Sequence, residues 1–305
     1  MWSAVAAAMA ALVVLVWSTA TGEPPRHEAA GVAAASPAPG EPEPRTAASG
    51  EGRLSPSGGL TAVQRPSGKA ALVDNPLYAT GRLAPLPCPV PVPDVDDPES
   101  MEGFLNVVAD CLDKTWQTQF AKAGISFEPP SRVFWETPGT SPCRDYPSTA
   151  GAFYCRASKG IYIGTSDVVA KWNGADDSVV YASLLAHEYA HHVQGESGLL
   201  EYYHEQRRLE PDRARQNAWT RRSELQANCL AGAFLGAVSV TYPISAADRE
   251  VILADAAATA DREGSSAEER THGSADNSVL WMEHGLEEQD PGACNTWEAA
   301  EETVQ

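Results

Sequence analysis

The sequence predicts an α+β fold, mostly helical with a small antiparallel sheet. Three observations predict it. Apolar residues recur at helical spacing from 98 to 123, two further long helical stretches follow Gly174, and short β-type runs lie between them, separated by Pro, Gly and Ser clusters.

Residues 1–22 carry no charge, and 4–17 form an apolar centre built on Ala-Leu-Val-Val-Leu-Val. That is the length of a signal-peptide core, with the small residues a signal peptidase reads at Ser18-Thr19-Ala20, so 1–20 is expected to direct export. No Lys or Arg precedes the apolar run. The uncharged stretch also reaches the roughly 20 residues that span a bilayer, which leaves an N-terminal membrane anchor as the alternative. Residues 21–73 are Ala, Pro, Gly, Ser and Glu with little apolar surface to offset chain entropy, and read as a disordered tether. The folded domain is expected over 74–300.

Within it, an extended Pro-rich arm at 86–93 precedes the first helix, whose apolar positions are Phe104, Leu105, Val108, Leu112, Trp116 and Phe120. Strands follow near 132–135, 152–155 and 160–163. Asp176, Asp177 or Ser178 can cap a second helix running to Gln194, with Gly195 as its stop. Pro211 suits the first turn of a third, extending to about Val240, and two more are expected at 245–262 and 274–284.

The net charge of −19, from 41 acidic and 22 basic side chains, repels a phosphate backbone and argues against nucleic acid as a partner. Six cysteines in an exported chain favour disulfides. They allow 15 pairings, among which sequence alone does not choose; the expected set is Cys88 with Cys111, Cys143 with Cys155, and Cys229 with Cys294. None forms a C-x-x-C pair, which argues against a cysteine zinc site.

The string His187-Glu188-Tyr189-Ala190-His191 carries the chemistry. Helical residues four apart lie about 40° from each other around the axis, so both imidazoles can grip one Zn²⁺. Glu188 lies between them in angle and can reach a water on the same ion, the position of a general base. Catalytic zinc ordinarily takes three protein ligands and keeps one position open. The extended metzincin pattern would need Gly and His where this chain has Gln194 and Ser197, so that class is excluded. Glu196, Glu201, Glu205, Glu210, Glu224 and the stray histidines remain as candidates. Glu224 is the best of them, because its helix continues into small apolar turns that can pack on the first histidine helix; the competing reading pairs it with Arg221 or Arg222. Asn228, one turn later, can accept a hydrogen bond from a ligand histidine.

Four blocks, His-Glu-Tyr-Ala-His-His-Val-Gln at 187–194, Glu-Leu-Gln-Ala-Asn-Cys-Leu-Ala-Gly at 224–232, Thr-His-Gly-Ser at 271–274 and Cys-Asn-Thr-Trp at 294–297, resemble the neutral zinc metallopeptidases of bacteria. The resemblance covers about 74–297. It implies a gluzincin-like site in a zincin-like domain, with His187, His191 and Glu224 as zinc ligands and Glu188 as base. Members of that family usually carry Asp where this chain has Asn228, and Gln-Arg where it has Asn277-Ser278. Asn228 can orient a histidine but adds no negative charge, so weaker zinc affinity or lower activity is expected.

His272, in a turn before a helix, is a candidate to support the oxyanion of a tetrahedral intermediate, beside its reading as a turn or capping residue. His192 and Tyr189 are expected to pack, His204 and His284 to face solvent, and His27 to lie in the tether. The expected function is zinc-dependent hydrolysis of a protein or peptide substrate outside the cytoplasm, with one Zn²⁺ per chain and possible membrane attachment through the N-terminal segment. The strand at 160–163 is expected to align that substrate by edge pairing. The alternative is a catalytically silent zinc-binding module of the cell envelope that recognises a protein partner.

Overall fold

The computed structural model describes residues 65–147, 151–172, 174–175 and 177–305; the expected export segment, the tether as far as 64, and Asp176 lie outside the described residues. The described residues form one compact unit, mostly helical with a small sheet. Among the described residues, no helix is long and apolar enough to cross a membrane.

The folded chain begins earlier than the expected Asp74. Arg65 donates to the Gly195 carbonyl and pairs with Glu201 at 2.8 Å, and helix α1 (Ala70–Val73) buries Ala71 and Leu72, the latter against Leu199, Leu200 and Tyr203. One apolar turn of Ala-Ala-Leu-Val is diluted in the average composition of a 53-residue stretch (21–73), yet it suffices to dock the chain. Order also extends past 300, where Val304 is buried.

Helix α2 (Pro98–Ala123) has the expected bounds. The Asp97 side chain accepts from the Glu99 N–H, and Gly124, at φ +70, ends the helix in the left-handed region. Its apolar face, Phe104 to Phe120, packs on the first histidine-bearing helix, and Cys88–Cys111 ties the extended arm to the helix.

Strands β1 (Ser131–Trp135), β4 (Ala152–Cys155) and β5 (Gly160–Gly164) form one sheet in the order β1-β5-β4; β2 (Gly139–Thr140) and β3 (Asp145–Tyr146) form a separate antiparallel pair. β4 runs antiparallel to β5 as expected, whereas β1 runs parallel to it, making the sheet mixed. The expectation that the strand at 160–163 offers a free edge is corrected: β5 is central and all five of its residues are buried. Its unbroken apolar core Ile-Tyr-Ile suits a strand covered on both faces and paired on both sides.

Helix α3 (Thr165–Lys171), absent from the sequence expectation, leads to α4 (Val179–Glu196). The stop lies later than Gly195, which stays helical below the Tyr154 hydroxyl. The chain turns instead at Gly198, where φ is +84 and the Pro66 carbonyl lies where a side chain would project. Helix α5 (Leu199–Leu209), also unexpected, follows at once and buries only Leu199, Leu200 and Tyr203.

Helix α6 (Arg213–Val238) starts two residues beyond Pro211, capped by the Asp212 side chain. Helix α7 (Ala246–Ala258), with a capping box between Ser245 and Asp248, ends short of the expected residue 262. Helix α8 (Ala275–Glu288) begins at its Ser274 cap and runs past the expected His284. Its Gly285 rests on the Cys229 carbonyl of α6, an approach that no Cβ would allow. All three expected disulfides form, and among the described residues no cysteine is free.

Candidate metal centre

Helix α4 buries Tyr181, Ala182, Leu185 and Ala186 and then presents His187 and His191 one turn apart on the side facing α6. On α6, Glu224 meets them: its Oε2 lies 3.3 Å from both His187 Nε2 and His191 Nε2. Neither Arg221 nor Arg222 claims this carboxylate. Arg221 donates to the Val304 and Arg270 carbonyls, and Arg222 pairs with Glu301 at 2.8 Å.

The far side of each ring is also held. His187 Nδ1 lies 2.8 Å from Asn228 Oδ1, and His191 Nδ1 lies 2.9 Å from Gln194 Oε1. Gln194 cannot turn its amide around, because its Nε2 already donates to the Ser223 carbonyl and to Gln226 Oε1. An amide oxygen only accepts, so each Nδ1 donates to its amide and each Nε2 faces one shared point, where it can ligate once it carries no proton. Two imidazole nitrogens and one carboxylate oxygen, all within 4.8 Å of one another, are a donor set that suits zinc.

The charges agree. Burial alone would raise the Glu224 pKa, but the two imidazoles hold it well below the carboxylate range. Burial alone would lower that of His191; the Glu224 carboxylate outweighs it and pushes the pKa up to about 9. Without metal, a proton therefore takes the cation's place at neutral pH. Zinc needs the Nε2 lone pair, so loading near pH 7 is expected to release about one proton per site, and loading well above pH 9 fewer. Calorimetry in buffers of different ionisation heat reads this count; zero protons at pH 7 would contradict the charge assignment.

Glu188, 9% exposed, lines the adjacent cleft of about 380 Å³ and has no hydrogen bond or ion pair among the described residues. Its carboxylate is uncommitted. His272, half exposed, lines the same cleft. It sits on a loop latched by Asp261, whose carboxylate accepts from the backbone N–H groups of Thr271, His272 and Gly273 at 2.8, 3.0 and 2.8 Å. The Thr271 hydroxyl lies 2.9 Å from His272 Nδ1, which leaves Nε2 as the ring nitrogen without a partner among the described residues. Asp261→Ala is expected to remove about 3 kcal/mol of stability, since hydrogen bonds to a charged group contribute roughly 1.5–3 kcal/mol each and the loop can relax. Denaturant midpoints check the size, and faster amide exchange at 271–273 checks the place.

A family model described as "Putative neutral zinc metallopeptidase" matches residues 93–297. The chain belongs to this family. Similar proteins include the uncharacterized protein YpfJ of Escherichia coli, 30% identical over 203 residues that cover 64% of this chain and 70% of YpfJ. An uncharacterized protein of Mycobacterium tuberculosis is 32% identical over 198 residues, covering 57% of this chain and 64% of its own length. Among solved structures none matches.

The remaining histidines stand apart from the centre. His192 is fully buried, its Nε2 donating to the Glu128 carbonyl, and Tyr189 donates to Asp113, so both pack as expected. His204 is half-buried rather than solvated; burial, reinforced by Arg156 and Arg207, lowers its pKa to about 4. His284 is likewise half-buried, edge-on to Trp281. Three functional candidates were not singled out from the sequence: Gln194, which stood inside the motif without a role, and Asp255 and Asp261, whose partners come from distant segments.

The Asp that the resemblance leads one to expect at 228 gives a direct experiment. Asn228→Asp is expected to tighten zinc binding by up to roughly tenfold, and Asn228→Ala to weaken it by about 10–100-fold, the range for losing such a partner. Competition with a zinc-binding dye measures both; unchanged affinity in both would remove position 228 from the site.

Proposed function

We propose that this chain is a zinc-dependent peptidase acting outside the cytoplasm, with one zinc per chain held by His187, His191 and Glu224. The observation that carries the reading is the convergence of those three side chains beside the uncommitted carboxylate of Glu188 in one cleft. Zinc, when bound there, supplies an acidified water and a Lewis acid for the scissile carbonyl.

The protein's own side chains do the rest. Asn228 and Gln194 keep the two rings in the tautomer and orientation that ligation requires. Glu188 takes a proton from the attacking water and passes it to the departing nitrogen. His272 offers a ring N–H to the carbonyl oxygen as negative charge grows there. Strand β4 takes over the aligning role expected of 160–163: it is a sheet edge and its Ala152 lines the cleft, so an extended peptide can add beside it.

The three disulfides support an oxidising compartment, and the apolar segment at 1–20 supports export or attachment to the outer side of the membrane. The test is a zinc analysis of the full chain paired with digestion of casein and a peptide library. Cleavage that a chelator stops and zinc restores is the expected result. A zinc-loaded protein that cleaves nothing overturns the hydrolase reading in favour of a binding module.

A further inference from the structure

Asp255 is an acidic group in the cleft that the proposed chemistry leaves unused. It stands on α7, and its carboxylate accepts one hydrogen bond, from the indole N–H of Trp172 at 2.5 Å, with no cation within ion-pairing distance among the described residues. Burial raises its pKa above the ordinary aspartate value, so the ionised form is undercompensated where it sits. A cation arriving there would relieve that.

The cleft beside it is lined by Lys171 and by a group of apolar side chains. Trp172, Leu184, Ala256 and Met282 line the same cleft as His187 and Glu188. Aromatic and aliphatic side chains beside a partly buried carboxylate match a side chain with a long alkyl stem and a positive tip. The chain itself shows the attraction: the Lys171 ammonium lies 4.8 Å from the centre of the Trp172 ring and contributes charge at Asp255.

We propose that the Trp172–Asp255 corner is a specificity subsite that receives a Lys or Arg side chain of the peptide substrate. This rests on the hydrolase reading, and the experiment separates the two. The zinc-loaded full chain is given pairs of peptides identical except for arginine against citrulline, which keeps shape and removes charge. The expected kcat/KM is at least tenfold higher for the arginine peptide. Asp255→Asn, which still accepts from the Trp172 indole, brings that ratio close to one, and Asp255→Lys turns the preference toward glutamate peptides.

A ratio near one in the unaltered protein, or a ratio that survives Asp255→Asn, overturns the subsite. If neither peptide is cleaved, it is the hydrolase reading that has failed, and binding of the same two peptides is measured by fluorescence anisotropy on the zinc-loaded protein. A tenfold tighter arginine complex that Asp255→Asn abolishes upholds the subsite; equal dissociation constants overturn it.

Discussion

Glu188→Gln is expected to retain about one zinc per chain and to lose hydrolysis, with kcat falling by roughly 10²–10⁴-fold, the range for removing a positioned general base. The substitution is nearly isosteric at a buried position, and among the described residues Glu188 has no hydrogen bond or ion pair for it to break. Its oxygen and amide nitrogen fill the space of the carboxylate but cannot take a proton from water. The three candidate ligands are untouched, so metal content should not change. Zinc analysis and peptide turnover on the same preparation give the answer, and a variant that keeps both metal and full activity would strip Glu188 of its role.

Glu224→Ala is expected to act one step earlier, on the metal itself. Losing a partner behind a ligand typically lowers metal affinity by about 10–100-fold, and loss of a ligand should exceed that. Zinc at a hundred times its dissociation constant adds about 2.7 kcal/mol to the stability of a protein that binds it only when folded. The variant should show no such gain at the same zinc concentration, which thermal unfolding with and without metal will read. Removal of the carboxylate also strips His191 of the charge that holds its pKa near 9, so the proton released on loading should disappear as well. One zinc per chain surviving dialysis in this variant would mean that the third ligand lies elsewhere.

How far the sequence reveals the molecule can be argued element by element. Helix α2 is legible throughout, because its signals are local: Asp97-Pro98 at one end, Gly124 at the other, and apolar spacing between. The end of α4 is not, since two glycines lie three residues apart and the choice between them depends on Tyr154 over Gly195 and Pro66 against Gly198. Both contacts come from distant parts of the chain. The central place of β5 depends on a parallel pairing with β1 some thirty residues away, which alternation within a five-residue strand cannot encode.

The candidate site divides in the same way. His187, Glu188 and His191 are fixed by helical spacing within one segment. Glu224 and Asn228 require that α6 pack on α4, for which small residues along α6 were the hint. Gln194 was in plain view, but its orienting role depends on Ser223 and Gln226 locking its amide. Asp261 and Asp255 gave no signal, as an aspartate beside a helix end ordinarily reads as solvated surface.

The Cys229–Cys294 bridge begins on the residue after Asn228 and five after Glu224. Before oxidation, six soft sulfur donors would rival the two imidazoles and the carboxylate for the same ion, and zinc prefers thiolate where it is offered. Oxidative maturation thus leaves His187, His191 and Glu224 as the one candidate metal group among the described residues, and purification in a thiol reductant would invite the wrong occupancy.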